Sequence, residues 1–280
     1  MEKKINTPAL KRLLIFFALI AGCACCKAQN LPLVNGFAHN DYKHPHPLFD
    51  ALDNGFTNIE ADVFLRDTTL VVGHFCPLFR HGLNLEKLYL KPLYTRIKQN
   101  NGRVYVNYDR PLILMIDIKT DADKTYRELE HVLSKYSSIL TSYQNGVVTN
   151  GAITVVLSGH KPYKTLESEI TRFAFIDEDL RRVERDPMST NIFTMASCKY
   201  SKLLSWDGKG PIPVWQERRL RNFVAMAHRL GSKVRLWASP EKKVVWDELL
   251  SCGVDLINTD HLSTLRDYLS SGHVTYAKAE

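Results

Sequence analysis

Between residues 34 and 74 the chain carries four side chains whose types and spacing could do acid-base and metal chemistry: His39, Glu60, Asp62 and His74. Glu60 and Asp62 stand two apart in a β-branched run, so on a strand both leave the same face, with Cβ atoms roughly 6 to 7 Å apart. One hard cation could touch both. The two histidines can exchange protons near neutral pH. A third carboxylate, Asp117, and an ammonium, Lys119, repeat the two-residue spacing at the end of the apolar run PLILMIDI. The three carboxylates supply oxygen ligands of the kind Mg2+ or Ca2+ takes, and a cation there would neutralise a phosphate that Lys119 also contacts.

Such a set needs elements that bring distant residues to one place. Apolar, β-rich runs recur at 33–38, 57–63, 112–118, 152–157, 172–176, 191–195, 233–238 and 254–258, with amphipathic helical segments between most of them at 45–54, 121–139, 216–230, 241–251 and 261–270. Several of these segments end at a glycine, Gly55, Gly231 or Gly253, where a left-handed cap fits. Eight strand-helix units predict an α/β fold, a single (β/α)8 TIM barrel over residues 29–280, with its chemistry at the C-terminal ends of the strands. That rule puts His39 after strand 1, Glu60 and Asp62 at the end of strand 2, Asp117 and Lys119 at strand 3, Ser158 after strand 4, Asp177 after strand 5, Trp237 at strand 7, and Asn258 with Asp260 at strand 8. Asn40, Lys119 and Trp237 are the expected substrate contacts.

Two stretches break the rhythm. Residues 64–73 read as strand 2 turning back through Asp67 and Thr68, and the long connection from Phe75 to Arg110, with a helical patch at LNLEKLYLKPLYTRIKQN, reads as a cap beside the site. Ser197–Trp215, rich in Gly, Pro and Trp, is a second loop of this kind. Each residue also has a plainer reading. A lone histidine is usually hydrogen-bonded in the core or on the surface, Glu-x-Asp on a strand is usually a solvated face, and Trp237 could be packing alone. His44 and His46 in KHPHP are read as a proline-stiffened helix start rather than zinc ligands. For Asn258, Thr259 and Asp260 the plainer reading, beside a place at the mouth, is as caps of the last helix, Asp260 being a good N-cap.

The length and the composition, 45% hydrophobic and 24% charged, are those of an ordinary globular protein. Residues 1–28 carry a basic start and the short apolar run LLIFFALIAG, which together predict a signal peptide and export, in a bacterial setting, to the periplasm, the exterior or a membrane anchor. Two cleavage sites fit: a lipobox ending at Cys23, which would make the chain a lipoprotein, and a signal-peptidase site at Cys26-Lys27-Ala28. Without this leader 32 Lys or Arg face 29 Asp or Glu, and no basic stripe with interleaved aromatics suggests nucleic acid. Cys76, Cys198 and Cys252 remain, an odd number without a Cys-x-x-Cys pair, and are expected to be buried thiols.

The motifs AHN at 38–40, EAD at 60–62, GH at 73–74, DIK at 117–119, VRLWAS and GVDLINTD resemble the phospholipase C-like phosphodiesterase superfamily, which includes the glycerophosphodiester phosphodiesterases and the spider sphingomyelinases D. AHNDY, WDGKGPIP and LINTD resemble, within it, the branch typified by yeast altered inheritance of mitochondria protein 6. The resemblance covers nearly all of the chain after the leader. It implies a (β/α)8 barrel, one divalent cation held by Glu60, Asp62 and Asp117, and acid-base catalysis by His39 and His74. Two positions depart from many glycerophosphodiesterases: Asn40 stands where an arginine is usual and Phe75 where an aspartate is. The expected activity is metal-dependent cleavage of a glycerophosphodiester or phospholipid-like phosphodiester, with Lys119 stabilising added charge. Three alternatives stay open: a metal-independent phospholipase C-like lyase, a glycosidase using Glu60 and Asp62, which leaves the histidines unexplained, and a non-catalytic anion-binding barrel.

Overall fold

The run Leu112–Ile118 is buried on both faces: Leu112, Leu114, Ile116 and Ile118 belong to one apolar cluster, Ile113 and Met115 to another. That is the pattern of a parallel strand with helices outside it and a packed barrel inside. A computed structural model describes residues 31–74, 83–183 and 191–272. Within them, eight strands form the barrel: β1 Leu33–Ala38, β2 Phe56–Arg66, β3 Leu112–Ile118, β4 Ile153–Gly159, β5 Ala174–Asp179, β6 Phe193–Lys199, β7 Lys233–Trp237 and β8 Leu256–Thr259. Successive strands pair in parallel, and β1 pairs with both β8 and β2, which closes the ring. The expected TIM barrel is the fold.

Helices α1 Phe49–Asp53, α2 Lys91–Gln99, α3 Ala122–Ser134, α4 Tyr163–Ser168, α5 Val214–Arg229, α6 Lys243–Ser251 and α7 Leu262–Ser270 lie between and after the strands. Asp121 caps α3 by accepting from the Lys124 amide at 2.9 Å, and Gly55, Gly231 and Gly253 take the positive φ expected of them. Among the described residues no helix is long and apolar enough to cross a membrane. The leader with Cys23, and also Cys76, lie outside the described residues. Cys198 and Cys252 are buried free thiols, as expected.

Several boundaries differ from the sequence expectation. β5 and β6 start two residues later than expected and run to Asp179 and Lys199, because inward-facing polar residues at a barrel mouth look like strand ends. Thr171–Arg172 belongs instead to a small antiparallel sheet with Ser142–Gln144 and Val147–Thr149. The turn at Asp67 and Thr68 does return β2 into a short strand, Thr69–Val72. The connection after it holds a π-helical turn, Glu86–Leu90, leading into α2. Its described part, from Leu83 on, packs along the barrel flank and reaches beside the site: Leu85, Leu90 and Leu93 are buried, Tyr89 donates to Asp41 next to Asn40, and Tyr105 donates to the carbonyls of Leu52 and Phe56 at the far end of β2.

One tie in this flank titrates. Asp41 is fully buried, and its Oδ2 accepts from the Leu48 amide at 2.6 Å and the Tyr89 hydroxyl at 2.8 Å. The first bond holds Leu48 at a φ of 67°, a region β-carbons disfavour. Burial pushes the Asp41 carboxyl up to about 6 in spite of both bonds. Its folded value lies above its unfolded one, so this contribution to stability is complete below the unfolded value and is lost as the pH rises through about 6. The share lost amounts to about 3 kcal/mol. Asp41→Asn keeps an acceptor oxygen and removes the charge. It should be more stable than the parent at pH 8 and flatten that share of the pH slope, measured by urea unfolding at pH 4 to 8; an unchanged slope would mean that Asp41 does not titrate in this range.

Candidate active site

The alternation that buries Ile113 and Met115 inside the barrel continues to the C-terminal mouth, where the inward positions are polar. On β2 they are Glu60 and Asp62, on β3 Asp117, on β4 Ser158, on β5 Asp177, on β7 Arg235, and on β8 Asn258. Register sets their levels: Glu60 is opposite Met115, Asp62 opposite Asp117, and Asp117 opposite Ser158. His39 follows β1 directly, its amide bonded to the Thr259 carbonyl at 3.0 Å, and His74 follows the returning strand, beside Gly73, whose amide bonds the Asp62 carbonyl at 3.1 Å. A cavity of about 580 Å3 is lined by all the expected site residues: His39, Asn40, Glu60, Asp62, His74, Asp117, Lys119 and Trp237. A hollow of about 620 Å3 on the flank, between Thr68 and Lys135, touches none of them.

Glu60, Asp62 and Asp117 each offer an oxygen within 4.8 Å of the others. Lys119 Nζ sits 2.9 Å from Asp117 Oδ2 and 3.2 Å from Asp62 Oδ2. Partial burial opposes its charge, but the two carboxylates outweigh this and hold the lysine above its ordinary value. The other oxygens, Asp62 Oδ1 and Asp117 Oδ1, are buried without a hydrogen-bond partner. Gly159, at a φ of 69°, leaves room for the Asp117 carboxylate: a Cβ there would lie 2.1 Å from Asp117 Oδ1. This trio is a set of hard oxygen donors with unused lone pairs, the donor chemistry of a Mg2+ or Ca2+ site.

His39 Nδ1 lies 2.7 Å from Asp260 Oδ1, and the Asn40 amide donates to the same oxygen at 3.2 Å. The histidine bond holds the Asp260 carboxyl below the usual carboxylate range. The Asn40 amide nitrogen also lies 2.8 Å from Nδ1; the carboxylate, which can only accept, favours the tautomer with the proton on Nδ1 and Nε2 as the acceptor. Of the two readings of Asp260, the place at the mouth holds and the helix cap does not: α7 begins after His261 without a side-chain cap, and the His261 amide bonds Thr259 Oγ1 instead, at 2.8 Å. Asn40 is buried in the left-handed region, at a φ of 50°, so it orients Asp260 as well as lining the cavity. His74 Nδ1 lies 3.1 Å from the Tyr42 hydroxyl and 3.3 Å from Asp62 Oδ2. Trp237 is 38% exposed at the rim, with Lys199 Nζ 5.7 Å from its ring centroid. His44 and His46 precede α1 and do not line the cavity, as expected.

Two residues were not singled out from the sequence. Arg235, only 4% exposed, donates to Glu60 Oε2 at 2.9 Å and Asn258 Oδ1 at 3.1 Å, and approaches Asp177 Oδ2 to 3.6 Å. Its guanidinium lies over the Phe37 ring, 4.2 Å from the centroid. Burial raises the Glu60 and Asp177 carboxyls above their ordinary values, and Arg235 works against that rise at both. The signal was a lone arginine between Val234 and Leu236, at an inward position by period two. Tyr42, within AHNDY, lies 2.7 Å from both Asp62 Oδ2 and Asn40 Oδ1, so one hydroxyl spans the two halves of the site.

Residues 26–177, from ahead of β1 into β5, match the family model of the AIM6-like phosphodiesterase domain. The chain belongs to this family. It is 30% identical over 268 residues to altered inheritance of mitochondria protein 6 of Eremothecium gossypii, covering 82% of this chain and 68% of that protein. It is 29% identical over 271 residues to the Lachancea thermotolerans protein of that name, covering 80% and 63%, and 27% identical over 260 residues to the Arthroderma benhamiae homologue, covering 82% of each. The AIM6-like domain is of phosphodiesterase type, in agreement with the resemblance read from the motifs. These relatives correct the expected location: all three are fungal proteins, which points to a eukaryotic lineage rather than a bacterial exported lipoprotein.

Proposed function

We propose that the chain cleaves a phosphodiester, of the glycerophosphodiester or phospholipid-like class, with one divalent cation, Mg2+ or Ca2+, at Glu60, Asp62 and Asp117. The observation that carries this reading is the convergence of three carboxylates, two of them with buried unpartnered oxygens, on a cavity that also holds two histidines and a lysine. A cation bound there supplies Lewis-acid neutralisation of phosphoryl charge. The rest is done by side chains. His39, its Nδ1 proton held by Asp260, takes the proton of the attacking water or substrate hydroxyl at Nε2. His74 gives a proton to the departing alkoxide. Lys119, fixed by Asp117 and Asp62, adds a positive charge at the same wall.

One observation favours a second reading, a metal-independent lyase. Arg235 already pairs with Glu60, and Lys119 with Asp62 and Asp117, so the trio repels a phosphate less than three bare carboxylates would. A panel of glycerophosphodiesters and lysophospholipids, assayed with Mg2+, with Ca2+ and with chelator, separates the readings. Turnover lost on chelation and restored by metal supports the first, turnover indifferent to chelator the second, and no turnover of any diester a binding protein. By calorimetry, Glu60→Gln and Asp62→Asn should each lower cation affinity by about tenfold or more. Parent-like affinity in either variant would remove that residue from the ligand set.

A further inference from the structure

Beside the mouth, the chain exposes apolar side chains that the reaction does not use. Val214 and Trp215, at the start of α5, are 68% and 61% exposed, and Val244, at the start of α6, is 46% exposed. The two helices run side by side in the same direction: Arg221 Nη1 donates to the Ser251 carbonyl at 2.7 Å, and Glu217 comes within 4.8 Å of Glu248 and Cys252. Both helices start just after the C-terminal ends of their strands, so Val214, Trp215 and Val244 stand at the mouth end of the barrel. The loop between β6 and α5 lies on this edge, since a Cβ at Gly208 would stand 3.1 Å from Val244 Cγ1. Lys202, just after β6, and Trp237, at the end of β7, both line the catalytic cavity.

The edge is also basic. Residues 199–219 and 241–244 hold seven Lys or Arg against three Asp or Glu, and Lys202, Lys209, Lys242 and Lys243 are exposed. We propose that this rim docks on an anionic lipid bilayer, with Trp215, Val214 and Val244 entering the headgroup region and the lysines facing lipid phosphates. An indole favours that boundary, where its ring is buried and its N–H is hydrated. Lysines interleaved with it supply the charge complement of an anionic surface, and an exposed apolar patch with a polar rim marks a contact surface. Docking there opens the cavity towards the bilayer, so that a phosphodiester of a membrane lipid reaches it without crossing bulk water. This delivery rests on the phosphodiesterase reading; the docking does not.

The test uses the full chain and vesicles of phosphatidylcholine with or without phosphatidylserine, carrying brominated acyl chains that quench tryptophan at the boundary. Trp206 and Trp246 are buried, so quenching at the rim reads Trp215 and Trp237. Vesicles with phosphatidylserine should quench the parent, added salt should weaken the effect, and Trp215→Phe should lose most of it. Val214→Ser with Val244→Ser should weaken vesicle binding by about tenfold. Turnover of a water-soluble diester should be the same in parent and Trp215→Phe, so a failure of docking is told apart from a failure of the phosphodiesterase reading. Quenching that is absent, or equal in Trp215→Phe, would overturn the proposal. So would a concentration-dependent dimer that shields Trp215, because it would assign the face to a second copy.

Discussion

Arg235→Met is expected to cost the fold about 3 to 5 kcal/mol at pH 7, the penalty for leaving buried carboxylates without their cation. Glu60 and Asp177 are 3% and 4% exposed, and Arg235 reaches both. Burial already raises both carboxyls. A raised carboxyl favours the folded state while it is protonated and loses that contribution as the pH rises through its folded value. The penalty of the variant is therefore greatest above the folded values of these two carboxyls and shrinks as the pH falls towards the ordinary carboxylate range. Two additions should recover stability at pH 7: Glu60→Gln in the same chain, which removes one uncompensated charge, and Ca2+, if it binds at the trio. Urea unfolding of the variants, with and without Ca2+, measures all of this. A loss below about 1 kcal/mol would mean that Arg235 is not the counter-charge of this site.

The largest effect on activity should come from the histidines. Positioned acid-base groups contribute roughly 10² to 10⁴-fold, so His39→Ala and His74→Ala should each lower turnover by that order with little change in melting temperature. The parent should give a bell-shaped pH-rate profile, and the double variant should lose much less than the product of the single losses. Aryl diesters, whose leaving groups need little protonation, divide the roles: His74→Ala should recover activity on them and His39→Ala should not. Asp260→Asn should follow His39→Ala in direction, since it releases the Nδ1 proton that Asp260 holds. The reverse pattern on aryl diesters would exchange acid and base. Equal losses on aryl and alkyl substrates would leave both histidines as contacts for phosphate.

The barrel was legible because its strands announce themselves twice, as β-branched runs and as runs apolar on both faces, with PLILMIDI the clearest. The carboxylate trio was legible for the same reason: period two, continued past the last apolar residue of β2 and β3, carries Glu60, Asp62 and Asp117 to one mouth. What could not be read were pairings across the ring. Asp260 stands just before a helix, where aspartate is a common cap, and nothing local links it to a histidine 221 residues away. Arg235 and Glu60 are 175 residues apart, and only closure of the barrel makes them neighbours. The small sheet around Ser142–Gln144 escaped because its strands are two or three residues long and largely exposed, so neither burial nor periodicity marks them.

The order of these parts along the chain bears on its synthesis. His39, Glu60, Asp62, His74, Asp117 and Lys119 all leave the ribosome well ahead of Arg235 and Asp260, which come from the last two strands and the turn after them. Domains emerge at about 5 to 20 residues per second, so for several seconds a nascent chain holds its acidic trio without Arg235 and its first histidine without Asp260. The half-made barrel is electrostatically unfavourable and lacks the partner of its proposed base. The paired mouth and the final stability therefore arrive together, when β8 docks against β1, and a ribosome stalled before residue 235 should carry a protease-sensitive chain.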